Sequence, residues 1–321
     1  MGKQASIFSN IFSIKNRTFI YRGTIIPKLL LKVVFFIVWS AVVCIIHTQV
    51  SSISIKSALL SISQTFISLL LAFRANIAYS RFWSGARIWY SMESQLRNLS
   101  LRLWTQVPEN TEEEREEKQT MLNMLLCFHI STKHYLRNEF GVNFEDLLPL
   151  IQNIPELIKL KKTEFTTCEI PLQLNHFILS YFHELHNNRN LSEMLFDHLR
   201  SELRDIQDAF MNLKRYMDTP IPLAYTAHLS QCVWISCIFI PFQMLNIAKS
   251  NSWVVIPFST ISCFILFGIL TLSEEIESPF GFGYNKLPLD KYSKDFAKQL
   301  EFIKGLPVVG TSGNQFVKFG Q

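Results

Sequence analysis

Four apolar runs interrupt an otherwise polar chain of 321 residues. The first covers roughly 27–47, with an uncharged core at 33–46 and Lys32 placed to snorkel to the near interface. The second begins at 57, and no charge falls between Lys56 and Arg74. The third, 220–248, and the fourth, 253–272, contain no Asp, Glu, Lys or Arg. About 20 such residues at ~1.5 Å each cross a hydrocarbon layer of ~30 Å, so each run predicts a membrane-spanning helix. The links HTQVSSISIK and KSNS are too short to hold a domain. The runs therefore pair as two hairpins, at 27–96 (spans 27–47 and 57–79) and 219–273. Pro241 is expected to kink the third span, whereas Pro257 sits in the first turn of the fourth, where it is tolerated.

The second run changes character along its length. After Arg74 come Arg81 and Arg87, interleaved with Tyr79, Phe82, Trp83 and Trp89. Arginine and aromatic residues are the types found at a membrane–water boundary, so the helix leaves the hydrocarbon near Phe73 and continues into water. Ser57, Ser61, Thr65, Leu69 and Phe73 recur every four residues and make one slowly drifting stripe. A lipid-facing stripe has no use for three hydroxyls. A helix-packing face has, because small polar residues let backbones approach. A pore face has too, with Leu69 and Phe73 as a hydrophobic constriction that gates by dewetting. Periodicity alone favours packing.

The segment 97–218 is polar and charged. TEEEREEKQTMLNMLLCFHISTKHYL has an acidic start, which suits a helix N-terminus, followed by Met121, Leu125, Phe128 and Leu136 at helical spacing. Residues 145–160 and 191–216 also read as amphipathic helices, and no strand pattern is evident. With a basic N-terminus (1–26) and a C-terminal segment (274–321) ending in polar residues, this completes the domain division. Lys and Arg concentrate in 1–28, 74–104 and 214–215, while the two links offer only Lys56 and Lys249. The positive-inside rule puts both termini and 97–218 in the cytoplasm.

Composition agrees. Hydrophobic residues make up 48% and mean hydropathy is +0.17, high for a chain with 18% charge. The net charge of +5 is modest. Basic residues flank apolar runs rather than forming a tract, so nucleic acid is not expected as a partner. The six cysteines show no CxxC spacing and read as small buried hydrophobes. Residues 1–17 fit an organelle address in composition, but a basic flank to a first span in the plasma membrane is preferred. No P-loop, HExxH, GxSxG or dinucleotide fingerprint occurs, so an enzyme is not expected. His183, Glu184 and His186 are read as a solvated face rather than a metal site. His129 and His134, five apart, share a helix face poorly. His228 is read as a satisfied interfacial histidine.

Three stretches carry a further signal: AFRANIAYSRFWSGARIW at 72–89, DTPIPLAYTAHLSQ at 218–231 and SEEIESPFGFGYNKLPLD at 273–290. In this order they resemble the bestrophin family, in its bacterial, plant and fungal branch. The resemblance implies an all-α integral membrane protein with four transmembrane helices per subunit and a helical cytoplasmic domain. It also implies a homopentamer around one pore, embedded in membrane lipid. The family's neck of three apolar rings falls by position on Thr65, Leu69 and Phe73, which reverses the preference for packing. Thr65 departs from the apolar pattern, so the neck is expected to be wetter or wider there, with Phe66 contributing if the helix is rotated. A second, cytoplasmic constriction falls on Met194.

The function so implied is passive conduction of chloride and other small monovalent anions. Five copies of Arg74, just below Phe73, would supply an anion-attracting potential; the alternative is that Arg74 pairs with a carboxylate or lies at the lipid interface. In animal members the stretch after PFG leads into an acidic cluster that helps to clasp Ca²⁺. Here it reads Gly281, Phe282, Gly283, Tyr284, Asn285, Lys286, Leu287. A hard cation needs six or more oxygen ligands, so no cofactor is expected and direct Ca²⁺ activation is not supported. Cation conduction by the same fold and a non-conducting membrane scaffold are the alternatives.

Overall fold

The computed structural model describes residues 23–49, 57–139, 144–152, 169–188, 191–248 and 251–306. The N-terminal address 1–17, residues 50–56 of the first hairpin link, most of 145–160, Cys168 and the polar tail lie outside the described residues. Among those described there are nine α-helices and no strand. They are α1 (Ile26–Gln49), α2 (Ser57–Gln106), α3 (Glu112–Leu136), α4 (Leu148–Gln152) and α5 (Glu169–Asn188), then α6 (Glu193–Asp218), α7 (Leu223–Ala248), α8 (Val255–Glu277) and α9 (Leu289–Lys304). Four of them, α1, α2, α7 and α8, are long and apolar enough to cross a membrane, α8 together with the 3₁₀ turn Ser252–Val254 that precedes it.

Contacts divide the chain into two units. One comprises Met1–Ser84 and Pro220–Lys286, the other Gly85–Thr219 and Leu287–Gln321. In the first, α1, α7, α8 and the start of α2 bury Leu29, Phe36, Leu71, Val233, Cys237, Ile240 and Phe267 in one cluster. Phe36 lies 5.6 Å from Phe267, centroid to centroid. Water does not drive helices together within hydrocarbon, so packing and a few polar contacts must. Ser40 and Ser259 supply one such contact, Oγ to Oγ at 2.7 Å, and the Trp39 indole donates to the Ile238 carbonyl at 3.1 Å.

The second unit obeys the rules of water. Thr111 caps α3, its hydroxyl accepting from the Glu114 amide at 3.2 Å, with Glu112, Glu113 and Glu114 in the first turn. Ser192 caps α6 in the same way, 3.4 Å from the Leu195 amide. The apolar face of α6 buries Phe196, Leu199, Leu203, Ile206, Phe210 and Leu213, a period close to 3.6. Lys118 is fully buried, and its ammonium donates to the Trp104 and Val107 carbonyls and to Glu109 at 2.9–3.0 Å. It thereby satisfies carbonyls that the end of α2 leaves without helical partners.

Candidate pore-lining site

The site is built on α2, whose first turns carry no charge and whose two sides have opposite surroundings. One side is buried, with Leu71, Arg74 and Ala78 each at most 1% exposed. The other side carries Thr65, Leu69 and Phe73, all exposed, Leu69 by 51% and Phe73 by 54%. Successive residues of a helix turn by about 100°, so Arg74 sits roughly 140° from Leu69. The division into faces follows from that rotation.

Thr65 is the polar member of the stripe. Its hydroxyl donates to the Ser61 carbonyl one turn back, at 3.0 Å. Such back-bonding ties up the hydroxyl's donor within the helix. Phe66 is also on the open side, 63% exposed.

Two polar contacts tie α2 to its neighbours, one of them at Ser61, on the stripe itself one turn before Thr65. Near its start, Gln243 of α7 donates from Nε2 to Ser61 Oγ at 2.9 Å and accepts from Gln64 Nε2 at 2.9 Å. Further along, the Arg74 guanidinium donates from Nη2 to Glu277 Oε2 of α8 at 2.5 Å. Arg74 is 0% exposed, and its Nε and Nη1 have no hydrogen-bond partner among the described residues. In the subunit Arg74 is therefore the paired cation of the alternative reading, and it points away from the stripe that holds Phe73.

Glu277 belongs to a larger charged cluster at the end of α8. Glu275 pairs with Lys28 of α1. Lys286 donates to the Glu275 carbonyl at 2.6 Å and the Ser278 carbonyl at 2.7 Å, capping the helix end. Burial lowers the Lys286 pKa, against the pull of Glu275. Gly281 and Gly283 reach φ +132° and +143°, which lets the chain turn back so that Asn285 donates to the Gly23 carbonyl at 3.1 Å. A carbonyl cap by Lys286 is not readable from spacing alone. The two glycines bracketing Phe282 are the signal that could have pointed to a tight return.

Met194 begins α6, in the other unit, and is 73% exposed. The remaining candidates have structural surroundings. His183 and Glu184 are exposed, but the His183 and His186 rings both pack on Phe196, and His186 contacts the Leu191 carbonyl at 3.1 Å. His129 and His134 are both buried despite their spacing, because α3 is enclosed on several sides. His129 stacks on Phe296 and meets Trp89 edge-on. Burial lowers its pKa, with Glu93 opposing. His134 lies between Glu139 and Asp146, stacked on Phe144. His228 is exposed, 3.7 Å from the Cys232 sulfur. Cys44, Cys127, Cys237 and Cys263 are free and buried, while Cys232 is free and half-buried.

A family model described as "Bacterial/Fungal Bestrophin protein" matches residues 9–301. A voltage-dependent anion channel-forming protein of a Nostoc species is 30% identical over 286 residues, covering 89% of this chain and 90% of its own. A protein of the same description from a Synechocystis species is 30% identical over 290 residues, with the same coverage. Among solved structures, a bacterial bestrophin homologue from Klebsiella pneumoniae superposes with a TM-score of 0.74 at 21% identity, covering 87% of this chain and 99% of the other.

Proposed function

The chain belongs to the bacterial and fungal bestrophin family, and from that premise we propose that it is a passive channel for chloride and other small monovalent anions. Five subunits surround one pore, with α2 of each facing the axis. The observation that carries this reading is the open stripe of Thr65, Leu69 and Phe73, uncharged and turned away from the buried side that carries Leu71 and Arg74. A ring of five Phe73 side chains forms an apolar constriction, which water and ions cross only when it is wide enough to stay wet. With its donor engaged by the Ser61 carbonyl, the Thr65 hydroxyl has no free proton donor to offer at that end of the neck. Met194 forms a second, separate constriction, supported by its 73% exposure at the start of α6.

Sign selectivity does not come from side-chain charge in the neck. The anion-channel names of the relatives favour anions. Arg74 contributes from behind the neck, as a buried charge screened by Glu277 rather than as a ring in the lumen. The protein is integral to the membrane. We place it in the plasma membrane, contacting lipid, with both termini and residues 97–218 in the cytoplasm. It catalyses no reaction and opens without Ca²⁺. The segment after PFG carries no carboxylate before Asp290, and the Lys286 ammonium already occupies the Glu275 and Ser278 carbonyls, so these residues do not fit a Ca²⁺ site.

The test is the reversal potential of purified protein in a planar bilayer under a KCl gradient. Reversal near the chloride equilibrium potential is expected, unchanged by Ca²⁺ chelation. Reversal near the potassium potential would keep the fold and make it a cation channel. No current together with no pentamer would leave a membrane scaffold. E277Q, which unmasks Arg74, is expected to move reversal further towards chloride, and R74Q away from it. If neither moves, Arg74 has no part in selectivity.

A further inference from the structure

Phe73 and the buried Arg74 lie on different faces of one helix, so whatever fixes the rotation of α2 there also fixes where Phe73 points. Arg74 is the residue after Phe73. Its guanidinium reaches Glu277 at 2.5 Å, in a site where Arg74 has no exposed surface. Glu277 is in the last turn of α8, and that turn is itself held. Lys286 caps its carbonyls at 2.6 and 2.7 Å, and Lys28 pairs with Glu275. The partner is therefore braced by α1 and by the loop that follows α8. The other contact, Gln243 with Ser61 and Gln64, lies about three turns away and is made of neutral groups. At the Phe73 end, among the described residues, the polar contact is that of Arg74, beside the apolar packing of Leu71.

We propose that the Arg74–Glu277 pair is a positioning clamp that sets the aperture of the neck by holding Phe73 at the pore axis. The inference rests on the neck reading above. A buried cation whose Nε and Nη1 have no partner among the described residues keeps no ion pair among them once Glu277 is neutralised. α2 would then be held there only by apolar packing such as that of Leu71, which has no directional preference, and a roll of a few tens of degrees carries the Phe73 ring off the axis.

This role differs from an electrostatic one in sign. R74Q removes a positive charge and E277Q a negative one. Acting through the field, they would move anion current in opposite directions. Acting through the clamp, both loosen the same helix and both raise current. The experiment measures single-channel and macroscopic chloride currents of pentameric wild type, F73A, R74Q and E277Q, of R74Q and E277Q each combined with F73A, and of the swap R74E/E277R. The expected result is a several-fold rise in F73A, R74Q and E277Q. No further rise is expected when either charge variant is added to F73A, since no ring is left to position, and the swap returns current towards wild type. Chloride current amplitudes that change in opposite directions in R74Q and E277Q, or amplitude effects that multiply with F73A, overturn the clamp; the reversal potential reads the field of Arg74 and not the clamp. F73A raising current while R74Q and E277Q are silent also overturns it. F73A itself without effect is instead a failure of the neck reading. Should R74Q or E277Q not assemble, R74K and E277D keep the charges but change their reach. The clamp then predicts raised current at an unshifted reversal potential, and wild-type current from both overturns it.

Discussion

Phe73 and Arg74 are adjacent in sequence and have opposite surroundings, one half exposed and the other without solvent contact. A residue next to a pore-lining position is turned by about 100° from it, so adjacency along a helix argues against sharing a lumen. The same attention to single residues yields two predictions in the water-facing unit. Lys118, buried and bonded to Glu109 and two carbonyls, is replaceable only at a cost. K118M leaves a largely buried carboxylate and two carbonyls unpaired, and should lower stability by about 3–5 kcal/mol, read as a drop in thermal midpoint. Asp290 is held from its ordinary 3.8 down to about 2, first by the Arg137 guanidinium, against burial, which raises it, and then by Lys133. Its folded pKa is depressed, so its contribution is complete above the ordinary value and disappears as pH falls towards the folded one. Asp290 is more than half exposed, so the pair is worth about 1 kcal/mol or less. The gap in thermal midpoint between wild type and D290N should be present at pH 7 and close as pH falls from about 4 to about 2.

At the scale of elements, the four spans follow from local content, since insertion sums hydropathy over about 20 consecutive residues. The helix starts at Glu112 and Glu193 follow from capping residues, Thr111 and Ser192, that lie in their own first turn. The hooked segment after α8 is different. Its glycines adopt positive φ, and what that conformation achieves is the arrival of Lys286 at the carbonyls of a helix end eight and eleven residues earlier. An added Cβ at Gly283 would meet Lys286 only at an ordinary 3.6 Å, and at Gly281 nothing within 4 Å. The cost of G281A or G283A is therefore backbone strain, about 1–3 kcal/mol. Each should lower the thermal midpoint of the detergent-solubilised protein. By loosening the brace on Glu277, each should also raise current in the direction of E277Q. A loss of stability with unchanged current would separate the loop from the neck.

Over the whole molecule, the sequence by itself determined an all-α membrane protein with four spans and the stripe at 65, 69 and 73. Those features rest on hydropathy and on a period of four, both local properties of the chain. The proposal that the stripe lines a pore needed the family resemblance, because a row of small and apolar side chains serves a lipid, a neighbouring helix or a pore equally well. Tertiary structure decided which side of α2 is closed and what Arg74 does within the subunit. Its partner lies 203 residues away in sequence, and Gln243 lies 182 from Ser61. No local pattern announces such pairs, because an arginine costs the same to place in an isolated helix whether or not a carboxylate will later meet it. His129 and His134 carry the same lesson. Their spacing on α3 argued against a shared environment, yet both are buried, by residues from other helices and from the loop after α3. Membrane insertion is set by a sum over neighbours in sequence, whereas burial of a charge is set by neighbours in space.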